Sequence, residues 1–132
     1  MVKIGFPREF EKIAFLFPEK EKQKDLFLMA EDTETNQVMG VIRFYYTGEQ
    51  VTIYEIKMPY QGEGRLSVLD GMVRTLFFKM AEQECHEAVV KPSGNVFDEY
   101  FQGHQFKKTK QGLVNSDFPA EFFKPCEGCR EQ

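Results

Sequence analysis

Apolar and polar positions along the chain change period several times, and each change marks an element. Val2 and Ile4 alternate with polar or small residues and predict a short strand over 2–6. Pro7 suits the first position of a helix, and Phe6, Phe10, Ile13, Ala14 and Phe17 then recur at helical spacing up to the stop at Pro18. A charged loop covers 19–24. Three strands are predicted next, over 25–31, 37–46 and 51–58, joined by polar turn residues at 32–36 and by Thr47-Gly48-Glu49. In the third, simple alternation sets Val51, Ile53, Glu55 and Lys57 on one side and Thr52, Tyr54, Ile56 and Met58 on the other. The three form an antiparallel meander.

After the loop Pro59-Tyr60-Gln61-Gly62-Glu63-Gly64-Arg65 the period lengthens. Apolar residues at 66, 69, 72, 73, 76, 77 and 80 predict an amphipathic helix to about Glu84. Ala88-Val89-Val90 reads as a short buried strand. Ser93 or Asn95 suits the cap of a short helix running to about Gln102. Two more strands, 105–109 and 113–116, turn at Lys110-Gln111-Gly112, and 117–132 is a Phe- and Pro-rich tail. The order predicts an α+β fold, a long helix packed on a mostly antiparallel sheet, in one domain over 1–132.

Composition supports a single compact domain. The chain has 132 residues, 42% hydrophobic and 29% charged, enough to bury a core without metal or disulfide. No run approaches the length of a membrane span, and the first residues lack the apolar stretch of an export signal. Seventeen basic against 21 acidic residues give a net charge of −4, which argues against nucleic acid as a partner. Fourteen Phe and no Trp imply an aromatic core or an aromatic-lined groove. The three cysteines are expected as reduced thiols in a cytoplasmic protein. Cys126 and Cys129 have the spacing of a metal or redox pair, but no second pair completes a zinc site, so an exposed tail is the favoured reading. Asp70 and Arg74, four apart on the long helix, predict a surface ion pair.

The segment that suggests chemistry is Gln61-Gly62-Glu63-Gly64 between a strand and a helix. The first N–H groups of a helix lack internal partners, the helix dipole adds positive charge there, and glycine lets an anion come close. Such a turn suits pyrophosphate; a plain strand-to-helix turn uses glycine too. Neither a Walker loop nor the dinucleotide G-x-G-x-x-G pattern is present.

With the element order, this loop resembles the signature Gln/Arg-x-x-Gly-x-Gly/Ala of the GCN5-related N-acetyltransferase (GNAT) superfamily. Gln61 and Gly64 match, and Leu66 stands at the last small position. A second stretch is similar: Asn95, then Tyr100-Phe101, then Gln105-Phe106, where many members have Asn, Tyr and Gly-Phe. The resemblance covers about 25–116. It implies that backbone amides of Gln61, Gly62, Glu63, Gly64, Arg65 and Leu66 hold the pyrophosphate of acetyl-CoA, that Ile56 to Met58 pair with its pantetheine arm, and that Asn95 belongs to the same site. Acyl transfer to an amine then needs a base and an acid. Glu55 is the candidate base, or else a solvent-facing strand residue. Tyr100 is the candidate acid, beside Phe101 at the usual tyrosine position. The expected activity is N-acyl transfer to a small-molecule or peptide amine. The alternative is a GNAT-like binding module without catalysis, and a weaker reading is metal-dependent assembly through Cys126 and Cys129. The aromatic tail suits exchange between subunits, which makes a homodimer an expectation.

Overall fold

The computed structural model of the chain describes residues 1–7, 10–17, 26–91 and 95–116. Among the described residues seven strands form one sheet in the order β1-β2-β3-β4-β5-β7-β6: β1 Val2–Gly5, β2 Leu26–Asp32, β3 Gln37–Tyr46, β4 Gln50–Lys57, β5 Glu87–Val90, β6 Lys107–Thr109 and β7 Gly112–Asn115. Every neighbouring pair is antiparallel except β4 and β5. That parallel pair is bridged by the long helix α1, Arg65–Glu82, and a shorter helix α2, Asn95–Gln102, lies between β5 and β6. The α+β architecture expected from the hydrophobic pattern is therefore present.

Helix α1 buries Val68, Leu69, Met72, Val73, Leu76, Phe77 and Met80 against one face of the sheet. Each fully buried side chain of this size contributes about 1.5–3 kcal/mol. Leu66, counted with that stripe by spacing, is 54% exposed at the first turn.

The other face is covered differently from the sequence expectation. The predicted helix over 7–17 is two 3₁₀ turns, Phe10–Lys12 and Ala14–Leu16. Leu16 N–H and Phe17 N–H bond back three residues, to Ile13 and Ala14. Ten residues between two prolines are too few for a helix that must persist without a wide buried stripe. Among the described residues of this segment, Ile13 and Phe17, with partly buried Leu16, pack onto Phe27, Met29 and Val41 in a second, smaller core.

Simple alternation also fails within β4. Phe44 pairs with Ile53 and Arg43 with Glu55, so Tyr54 is the extra residue of a β-bulge. Beyond it the phase inverts. Ile56 and Met58 join Val51 and Ile53 in the core under α1. Glu55 and Lys57 take the opposite face, where the Lys57 ammonium lies 5.1 Å from the Phe17 ring centroid.

Both helices end in the same way. Glu84 (φ 66°) and Gln105 (φ 76°) adopt left-handed conformations. At α1, Glu84 N–H bonds Ala81 C=O and Cys85 N–H bonds Met80 C=O. At α2, Gln105 N–H bonds Gln102 C=O and Phe106 N–H bonds Phe101 C=O. Each is a Schellman ending, in which the following apolar residue packs back on the helix. Buried Cys85 fills that position after α1. After α2 the Phe106 ring meets Phe101 edge-on, with centroids 5.2 Å apart. Gln105 stands where the resembled motif has glycine, and its φ shows what glycine is for at that point. Glu84→Gly and Gln105→Gly should therefore each raise stability by about 0.5–1 kcal/mol, read as a higher urea midpoint at unchanged m-value.

Candidate functional site

Strand β5 pairs with β4 only over Gln50 to Ile53, closing with Lys91 N–H on Ile53 C=O. From Tyr54 onward, among the described residues, no strand covers that edge of β4. The backbone of Ile56 to Met58, paired with β3 on its other side at Ile56 and Lys57, therefore borders an opening beside the parallel pair. The bulge at Tyr54 lies where β4 and β5 part.

The same opening ends at the helix. Gly64 is the N-cap of α1 at φ +80°, with no side chain capping the first turn. A Cβ there would meet nothing within 4 Å, so glycine is required by the backbone angle and not by crowding. Gln61, Gly62, Glu63 and Gly64 are exposed. The first turn of α1 holds no acidic residue to engage its N–H groups. An exposed, uncapped helix start beside a free strand edge fits a ligand that carries an anion at one end and amides along its length.

Within the loop the polar side chains serve the loop itself. Arg65 donates from Nε to Tyr60 C=O at 2.9 Å and from Nη2 to Met58 C=O at 3.3 Å. The Gln61 side-chain amide donates to the same Met58 carbonyl at 3.2 Å. The Tyr60 hydroxyl donates to Glu63 C=O at 2.6 Å. A Cβ on Gly62 would lie 2.5 Å from the Tyr60 hydroxyl oxygen, so the glycine makes room for this ring. Arg65 also sits over the Phe97 ring of α2, 5.7 Å from its centroid. Sequence reading placed Arg65 among the cofactor-binding residues and gave Tyr60 no role. A cavity of about 590 Å³ borders the loop at Pro59, Tyr60 and Gln61 and reaches Lys12, Phe15 and Asp32.

The two candidate acid–base residues are both engaged. Glu55 pairs with Arg43 at 3.4 Å and with Lys57 at 3.5 Å, on the face away from α1. Tyr100 donates its hydroxyl to Asp70 Oδ1. Burial first, then the hydrogen bond and the negative charge of Asp70, raise the Tyr100 pKa well above that of a free phenol. Asp70 holds the expected ion pair with Arg74 at 2.8 Å through its other oxygen. Its contact with Tyr100 crosses 30 residues of sequence and had no local signal. Phe101 is fully buried in the core. Asn95 is the first residue of α2, and its side chain lies outside the described residues. So do Ser93, Cys126, Cys129 and the aromatic tail. No group of three or more His, Cys, Asp or Glu suited to a metal occurs among the described residues. No described helix is long and apolar enough to cross a membrane.

No family model and no curated protein matches the sequence. Solved structures do. A GNAT-family acetyltransferase of Staphylococcus aureus Mu50 superposes with TM-score 0.61 at 14% identity, over 90% of this chain and 92% of that one. The ribosomal-protein-S18-alanine N-acetyltransferase of Escherichia coli gives 0.64 at 11%, over 86% and 91%. The PaiA N-acetyltransferase of Thermoplasma acidophilum, in complex with coenzyme A, gives 0.60 at 10%, over 86% and 96%. The chain has the GNAT fold.

The Tyr100–Asp70 contact has a measurable consequence. Tyr100→Phe should cost about 1–2 kcal/mol near neutral pH, since a hydrogen bond to a charged group is lost. Because the folded-state pKa is raised, the stabilisation is complete below the ordinary tyrosine value of 10.0 and is lost as pH rises above it. Urea unfolding at pH 8 to 11 should show the wild type losing stability more steeply than Tyr100→Phe.

Proposed function

We propose that the chain is an N-acyltransferase that takes an acetyl group from acetyl-CoA and passes it to an amine. The observation that carries this reading is the free edge of β4 running into the exposed, uncapped start of α1, on a GNAT fold. The coenzyme A in the T. acidophilum structure supports it. In this reading the N–H groups from Gln61 to Leu66 receive the pyrophosphate. The backbone of Ile56 to Met58, apart from the Met58 carbonyl that Gln61 and Arg65 hold, receives the pantetheine amides as an added strand would.

The transfer asks mainly for position. The amine nitrogen attacks the thioester carbonyl, the C–S bond breaks, the amine loses a proton and the thiolate takes one up. Glu55 lies where the free edge begins and accepts the amine proton through water. To do so its carboxylate gives up Arg43 or Lys57. The Tyr100 hydroxyl is held by Asp70 and is a weaker acid than a free phenol, so the thiolate takes its proton more readily from solvent. That same engagement of Tyr100 favours the second reading, a GNAT-fold module that binds its ligand without transferring an acyl group.

Calorimetric titration with CoA and acetyl-CoA, on wild type and Gly64→Asp, tests the proposal. Open space at Gly64 lets the variant fold, at a cost of about 1–2 kcal/mol for a side chain at positive φ, and it sets a carboxylate where the pyrophosphate belongs. Micromolar binding that Gly64→Asp loses by more than about tenfold supports the cradle. No binding to wild type disposes of both readings as CoA proteins. Binding without thiol release across a panel of primary amines selects the module over the enzyme.

A further inference from the structure

A trans peptide points its C=O and the N–H that follows in opposite directions. In the loop after β4, side chains inside the loop hold three carbonyls. Tyr60 C=O is held by Arg65, so the N–H of Gln61 is directed away from Arg65. Glu63 C=O is held by the Tyr60 hydroxyl, so the N–H of Gly64 is directed away from that ring. Met58 C=O takes two donors, from Gln61 and Arg65, and the residue after it, Pro59, has no N–H to direct. Among the described residues, the N–H groups of Gln61 and Gly64 meet no backbone acceptor. The side chains thus sort the loop by polarity, with carbonyls gathered inward and two N–H groups released outward.

We infer that Arg65 and Tyr60 are positioning residues, which aim the N–H groups of Gln61 and Gly64 at a phosphate by holding the carbonyls of Met58, Tyr60 and Glu63. The inference rests on the proposed CoA reading and adds to it what sets the cradle. It also gives the side chain of the loop's one arginine a role, where the sequence expectation concerned only its backbone amide. An arginine beside a phosphate loop is normally taken as a counter-charge. Here its guanidinium is spent on two carbonyls and on the Phe97 ring. Its fork is what matters, and a lysine keeps the charge but not the fork. Through the Phe97 ring the brace also touches α2.

The experiment follows amide protons of the full ¹⁵N-labelled chain during titration with inorganic pyrophosphate, with CoA affinity measured by calorimetry. Wild type is compared with Tyr60→Phe, Arg65→Lys and Arg65→Met, and the thermal midpoint of each is recorded. In wild type, pyrophosphate should shift the amide protons of Gln61 and Gly64. Tyr60→Phe, which removes one oxygen, should weaken pyrophosphate and CoA about fivefold at a temperature far below its midpoint. Arg65→Lys and Arg65→Met should weaken both ligands alike, by about tenfold or more. A merely structural role would lower the midpoints and leave these affinities unmoved, and that result overturns the inference. Arg65→Lys binding as tightly as wild type while Arg65→Met does not makes Arg65 a counter-charge and overturns it as well. Should the Arg65 variants not fold, Tyr60→Phe decides alone. Wild-type Gln61 and Gly64 amides that stay still also overturn it. If CoA then binds nonetheless, the acyltransferase reading stands without this brace; if it does not, both fall.

Discussion

The phase of β4 is the constraint on which the site depends. A strand shows its two faces in strict alternation, so one extra residue exchanges every later side chain between faces. The bulge at Tyr54 makes that exchange once. Before it, Val51 and Ile53 face α1; after it, Ile56 and Met58 do. Without it Glu55 and Lys57 would be driven under the helix, at the cost of burying two charges in an apolar core, and Ile56 and Met58 would face the 3₁₀ segment. The bulge keeps the core continuous and leaves Glu55 beside Arg43 at the point where β5 departs.

This was visible in the sequence, though alternation concealed it. Apolar residues at 51, 53, 56 and 58 are spaced two, three and two apart, and the three is the bulge. The long helix was legible for the opposite reason, since its stripe keeps helical spacing over four turns and needs no tertiary knowledge. The front of the chain misled because Phe10, Ile13 and Phe17 fit a helix in projection. Spacing cannot say whether a short segment gains enough burial to close full helical turns.

The candidate site was legible as a stretch of chain more than as a set of side-chain contacts. Strand, glycine loop and helix fixed where an anion could sit. What the individual side chains do there was not readable, because it depends on contacts across the fold. The partner of Tyr100 lies on another helix, and Arg65 turns back on carbonyls of its own loop. The left-handed residues that end the two helices, Glu84 and Gln105, leave no local mark either. Their conformations are imposed by Cys85 and Phe106 entering the core just after each helix.

The edge of β4 that no described strand covers bears on which substitutions such a chain tolerates. Backbone groups are the same whatever residue carries them. A binding surface made of them selects for the path of the chain and hardly for its letters. Substitutions are then tolerated at most positions while the path holds. Structures that share 14% and 10% identity with this chain superpose over most of its length, so one path is compatible with very different letters. A surface of this kind fixes backbone geometry along the edge and leaves the chemistry of most side chains free to vary.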